Sequence, residues 1–245
     1  MNESTAQAVL EEFLSYPLTD SRAILDRFAS LHGAIARFGG EKRNFVYVPG
    51  ARDDRVLLVA HADTVWDEYY LDQPDLPQTV RYSDGVYSAV EKGYGIGADD
   101  RAGCAMLWLL KDSGHSLLVL DGEEHGQIGA NYIKSAYPSL HKELNAHAYM
   151  VQLDRRGKSD YKVYELPVPK EFKRFIEEKT NFSEPDKSSR TDIVALCTEV
   201  CGVNLSIGYY HEHTPKECLV FREWYRTLTL VEDMLLGEQR RFPLK

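Results

Sequence analysis

Five short patches of the chain carry residue types that bind divalent metal ions: His61-Ala62-Asp63, Gly97-Ala98-Asp99-Asp100, Glu123-Glu124, Asp154 and His213. Imidazole and carboxylate suit zinc and its neighbours, and a two-ion site needs terminal ligands for each ion plus one carboxylate able to bridge. Together the patches read as the ligand set of a two-metal hydrolase. Each has a plainer reading on its own. His61 could be a hydrogen-bonded residue after a strand, Asp99-Asp100 before Arg101 a charged helix start, and Glu123-Glu124 a solvated pair. Their order and their places after successive strand-like runs set the combination apart.

Those runs predict the elements that must deliver the patches. Helical periodicity covers about 5–16 and 21–38, the second introduced by Thr19-Asp20 and closed by Gly39-Gly40. Residues 44–48 and 55–60 read as strands, and Val56-Leu57-Leu58-Val59-Ala60 is apolar enough to be buried on both faces. Runs 79–82 and 86–89, split by Ser83-Asp84-Gly85, predict a hairpin. A helix over 101–111, a strand over 116–120, a helix over 128–136 and a strand over 148–153 follow. The last third predicts helices over 170–180 and 191–201, a strand over 203–207 and a terminal helix over 217–236. This alternation predicts an α/β three-layer sandwich, a mixed, mostly parallel sheet with helices on both faces and ligands at the carboxyl ends of its strands. The connections 68–77 and 183–190 read as surface loops near the site mouth.

The run Val59-Ala60-His61-Ala62-Asp63-Thr64-Val65, then Gly97-Ala98-Asp99-Asp100-Arg101-Ala102-Gly103, then Asp121-Gly122-Glu123-Glu124-His125-Gly126-Gln127-Ile128-Gly129-Ala130 resembles the co-catalytic zinc exopeptidases. These are the related M20, M28 and M42 metallopeptidases, which include peptidase T, leucyl aminopeptidases and tetrahedral aminopeptidases. His213-Thr214-Pro215-Lys216-Glu217 resembles the segment that brings their last histidine ligand. The resemblance spans about 56–217 and implies the phosphorylase/hydrolase-like catalytic domain of that superfamily.

Roles follow from chemistry and from the resemblance together. His61 is a neutral ligand, and Asp63 accepts its other ring N–H and fixes its orientation. Asp99 is the natural bridge between two cations. The resemblance makes Asp99 rather than Asp100 the ligand and often puts a cis peptide between them. Arg101 is expected to neutralise Asp100. The resemblance also makes Glu123 the general base, taking a proton from the attacking water and returning it to the leaving amine, and Glu124 a ligand. Asp154 then completes the His61 ion and His213 the Glu124 ion. Tyr209-Tyr210-His211-Glu212-His213 offers two imidazoles that an extended segment would point the same way, so His211 competes with His213, and Thr214-Pro215-x-Glu217 favours His213. His115, His125, His141 and His147 read as surface or structural residues.

One departure bears on substrate. Many M20 enzymes insert a lid or dimerisation domain between the positions matching Asp154 and His213, and only 59 positions separate them here. Residues 1–245 are therefore expected to form a single catalytic domain without a lid. Ser188-Ser189-Arg190-Thr191-Asp192 is either a substitute substrate contact or, more simply, a helix cap.

Composition sets the frame. The 245 residues can bury one sizeable core. A net charge of −9 argues against nucleic acid or an anionic membrane as partner. The start Met1-Asn2-Glu3 lacks the basic residues of a signal peptide, so a soluble, cytoplasmic protein is expected. Cys104, Cys197, Cys201 and Cys218 form neither a disulfide framework nor a zinc knuckle, and Cys197 and Cys201 read as core residues one helical turn apart. The functional expectation is an aminopeptidase or other exopeptidase acting on short peptides with two divalent ions, zinc first and cobalt or manganese as alternatives. A deacylase of small N-acyl amino acids and a noncatalytic metal-binding protein are the other readings.

Overall fold

The structure, a computed structural model, describes residues 2–67, 78–185 and 191–245. In chain order its elements are α1 (Glu3–Leu14), α2 (Ser21–Ala29), β1 (Ile35–Phe38), β2 (Asn44–Val48), β3 (Leu57–His61), β4 (Val80–Ser83), β5 (Val86–Ala89), α3 (Ala98–Leu109), β6 (Ser116–Leu120), α4 (Ile128–Ala136), α5 (Pro138–Leu144), β7 (Met150–Arg155), β8 (Tyr161–Lys162), α6 (Lys170–Thr180), α7 (Asp192–Leu196), β9 (Gly202–Ser206), β10 (Tyr209–Tyr210), β11 (Cys218–Val220) and α8 (Phe221–Leu235).

Seven strands form one sheet in the order β1-β2-β6-β3-β7-β9-β8. The central strands β6, β3, β7 and β9 are parallel, with β2 and β8 antiparallel to their neighbours. A smaller antiparallel sheet runs β10-β11-β5-β4. The main sheet is covered on both faces, as its apolar strands require. Val46, Leu58, Ala60, Leu117, Val119 and Val151 pack with α1, α2, α3, α6 and α8, while Phe45, Tyr47, Leu57, Val59, Leu118 and Met150 pack with α4, α5 and α7. Side chains alternate across each strand with period two, so one strand feeds both cores.

Three helix expectations are corrected. The helix predicted over 21–38 stops at Ala29, although Asp20 caps its start by accepting from Ala23 N. A turn through Gly33, at φ +76°, ends it, and Ile35–Phe38 pairs with β2 instead. The helix predicted over 191–201 ends at Leu196, where the Asn145 amide donates to Leu196 O and accepts from Thr198 and Glu199 N. Cys197 and Cys201 are both buried but do not share a helix. Before α8, Cys218–Val220 pairs with β5 rather than joining the predicted terminal helix. Helix α5, with Pro138 in its first turn, and the two-residue strands β8 and β10 were not expected. Residues 68–77 and 186–190, most of the two expected loops, lie outside the described residues. No helix among the described residues is long and apolar enough to cross a membrane.

Candidate active site

The parallel strands β3, β6 and β7 end side by side, and their carboxyl ends carry His61, the Asp121–Glu124 turn and Asp154. Asp99 arrives from the start of α3, whose first residues depart from helical geometry around a cis Asp99–Asp100 peptide. His213 arrives from the connection between β10 and β11.

Two triads of donor atoms result, His61–Asp99–Asp154 and Asp99–Glu124–His213, with Asp99 common to both. Asp99 turns one oxygen to each imidazole: Oδ1 lies 3.2 Å from His61 Nε2 and Oδ2 lies 3.3 Å from His213 Nε2. Asp154 Oδ1 is 3.6 Å from His61 Nε2, and Glu124 Oε1 is 2.9 Å from His213 Nε2. His61 Nε2 and Glu124 Oε1 are buried and make no well-directed hydrogen bond, facing instead the charged groups 2.9–3.6 Å away, a crowding that a cation at each triad would relieve. This donor set fits two divalent ions. Glu123 belongs to neither triad but lines the same open cleft, with a volume of about 200 Å³.

The electrostatics follow from crowding. The adjoining Asp99 and Glu124 carboxylates push the His213 imidazole up to about 11. Burial opposes a charge on His61, but Asp154, Asp63 and Asp99 outweigh it and hold its pKa well above normal. Burial first, then neighbouring carboxylates, drives Glu123 well above the ordinary carboxylate range and raises Asp154 and Glu124 too. Burial would raise Asp99, but the imidazoles of His213 and His61 beside it outweigh that and lower it.

No protein-family model and no curated protein matches the chain. Among solved structures, a tripeptidase from Staphylococcus aureus matches with TM-score 0.70 and 13% identity over 96% of this chain and 98% of its own. Aminopeptidase PepT from Bacillus cereus matches with TM-score 0.68 and 15% identity over 96% and 98%. TET1 peptidase from Pyrococcus horikoshii, which assembles into a tetrahedron or a large octahedral shell, gives TM-score 0.65 and 13% identity over 94% and 99%. The chain has the aminopeptidase fold.

Within that aminopeptidase fold, the shell around the triads differs in places from expectation. The Asp63 carboxylate, expected only to orient His61, also accepts from Glu123 and Glu124 N at 3.3 Å each, while His61 Nδ1 lies 3.1 Å from the Asp63 carbonyl and 3.4 Å from its Oδ1. Asp63 thus positions one histidine and both glutamates. Arg101 does not neutralise Asp100. Its buried guanidinium donates to the carbonyls of Tyr16 and Pro17, while Asp100 accepts from His61 N and Gly103 N at 3.1 Å each. The segment after Tyr210 is a turn rather than extended, with His211 and His213 at φ 58° and 61°. It aims His213 into the second triad and leaves exposed His211 out of both. Thr191 stands where a cap would but makes no cap bond; its hydroxyl donates to Asp154 Oδ2 at 2.8 Å. Ser188, Ser189 and Arg190 lie outside the described residues.

Three supporting groups escaped the sequence. Lys42, from the β1–β2 turn, bonds Asp67 and lies 3.6 Å from Asp121, placing a cation behind the acidic cluster. Tyr209 donates to Asp154 Oδ1 at 3.2 Å. Glu217, noted only as part of a motif, is fully enclosed and accepts from Ile96 and Gly97 N at 2.8 Å each and from Asp99 N at 3.1 Å. A Cβ at Gly95 would come within 2.2 Å of Glu217 Oε2, which explains the glycine there. Burial raises the Glu217 carboxyl to about 7 despite these bonds. Glu217→Ala leaves three buried donors unpaired at ~1–3 kcal/mol each, so a net loss of about 3 kcal/mol and a Tm drop of roughly 6–12 °C are expected by calorimetry. An unchanged Tm removes Glu217 from the site's framework.

Proposed function

We propose that the protein is a two-ion hydrolase of amide bonds, an exopeptidase that removes the amino-terminal residue of short peptides. The supporting observation is the pair of triads sharing Asp99, with a separate carboxylate, Glu123, in the same cleft. One ion would be held by His61, Asp99 and Asp154, the other by Asp99, Glu124 and His213. Zinc is the first candidate, with cobalt and manganese as alternatives, because imidazole and carboxylate serve all three. Bound there, the ions supply Lewis-acid polarisation of the substrate carbonyl and acidify water.

The chain's own groups do the rest. Glu123 accepts a proton from the attacking water and returns it to the leaving amine, a role suited to a carboxylate made more basic by burial. Asp63 holds His61 and the backbone of Glu123 and Glu124 at fixed spacing. Thr191, Gln152 and Tyr209 fix the Asp154 carboxylate.

Metal dependence tests the proposal in two ways. Chelation should abolish hydrolysis and lower the Tm, since an ion bound only to the folded state stabilises it. Unchanged turnover after removal verified by metal analysis ends the two-ion reading. The surrounding carboxylates favour protonated imidazoles at both positions in the ion-free protein, and each ring must be neutral to become a ligand. Ion binding should therefore release protons and weaken as pH falls, read by calorimetry in buffers of different ionisation enthalpy. Substrate class is decided by offering dialanine and N-acetylalanine together. Cleavage of only the acylated compound replaces the exopeptidase with a deacylase.

A further inference from the structure

Arg155 is the next residue after Asp154, and in a regular strand the two side chains would point to opposite faces. The register between β7 and β9 shifts between Gln152 and Arg155, a bulge of the kind that re-aims a side chain beside a site. Asp154 and Arg155 consequently line the same cleft.

The Arg155 guanidinium there has almost nothing to do. The residue is only 8% exposed, its Nε is buried without a partner, and its side chain donates no hydrogen bond to any described residue. The Asp160 carboxylate, 3.7 Å away and itself partly exposed, is beyond hydrogen-bonding distance. A planar fork of five donors is normally satisfied when buried, because leaving it unpaired forfeits hydration without return. Arg156, at the cleft rim, is occupied by Glu212 at 2.5 Å. Two bound divalent ions would balance the charges of Asp99, Glu123, Glu124 and Asp154, leaving Arg155, with Asp160 at 3.7 Å as its charge partner among the described residues, with unused donors at the cleft.

Resting on the exopeptidase reading, the geometry points to Arg155 as a substrate-carboxylate subsite, binding an anionic oxygen pair through its guanidinium fork. Arginine matches a carboxylate in bidentate fashion, which gives orientation as well as attraction. The carboxylate can come from the free carboxyl end of a dipeptide or tripeptide, limiting substrate length, or from an acidic side chain at the amino-terminal residue.

The experiment compares the ion-loaded wild type with Arg155→Gln and Arg155→Lys on dialanine, dialanine amide, alanyl p-nitroanilide and glutamyl p-nitroanilide. For a carboxyl-end subsite, Arg155→Gln raises KM for dialanine by about 10–100-fold, the scale of one charge-assisted contact, with little change for the amide and the neutral anilide. Arg155→Lys recovers part of the loss. If the acidic side chain is the source, the KM penalty falls on the glutamyl anilide instead. Equal losses on all substrates, or no loss on any, overturn the subsite. Calorimetric binding of dialanine and its amide to Glu123→Gln protein, with and without Arg155→Gln, reads the subsite without turnover. A wild type that cleaves none of the four but shows an Arg155-dependent preference for the free carboxylate overturns the exopeptidase reading and keeps the subsite; loss of that preference overturns the subsite.

Discussion

Replacing Glu123 with glutamine should lower kcat by ~10²–10⁴, the usual contribution of a positioned acid–base group, while both ions stay bound. The glutamine keeps the size and hydrogen-bonding reach of the glutamate but cannot take a proton. Because Glu123 lies outside both donor triads, ion content should be unchanged by elemental analysis. Glu124→Gln makes the contrast, since its oxygen sits in the His213 triad at 2.9 Å and the loss of activity there should be partly recovered by excess zinc. Wild-type turnover by the Glu123 variant, or its rescue by added metal, exchanges the roles of the two glutamates.

Removing the shared carboxylate should have the widest effect on ion content. Asp99→Ala takes one donor from each triad and also the charge that offsets repulsion between two cations, so ion content should drop from two towards none. His213→Ala should cost only the ion it shares with Glu124, leaving the His61–Asp99–Asp154 set intact. His211→Ala should keep both ions. Anomalous scattering from crystals of the three variants distinguishes them, and loss of an ion from His211→Ala alone reverses the choice between the two histidines.

The aminopeptidase fold was legible because its central strands are apolar on both faces, a pattern that only a sheet covered by two helical layers accommodates. Local boundaries were less so. The 21–38 segment has helical periodicity, yet Ile35–Phe38 found a partner strand in β2, and pairing with a distant segment overrides local preference. The same competition ended α7 at the Asn145 side chain and turned Cys218–Val220 into a strand.

By itself the sequence determined which residue types could gather and in what order, since imidazoles and carboxylates at strand ends are written in its composition and periodicity. Only the tertiary structure decided their partners. Arg101 reaches the Tyr16 and Pro17 carbonyls just past α1 rather than its neighbour Asp100, Glu217 gathers three amides from the Ile96–Asp99 turn, and a bulge swings Arg155 into the cleft beside Asp154. The physical reason is common to all three. Periodicity along the chain fixes the face on which a side chain starts, whereas its hydrogen bonds depend on backbone groups tens of residues away, whose positions exist only once the sheet has assembled.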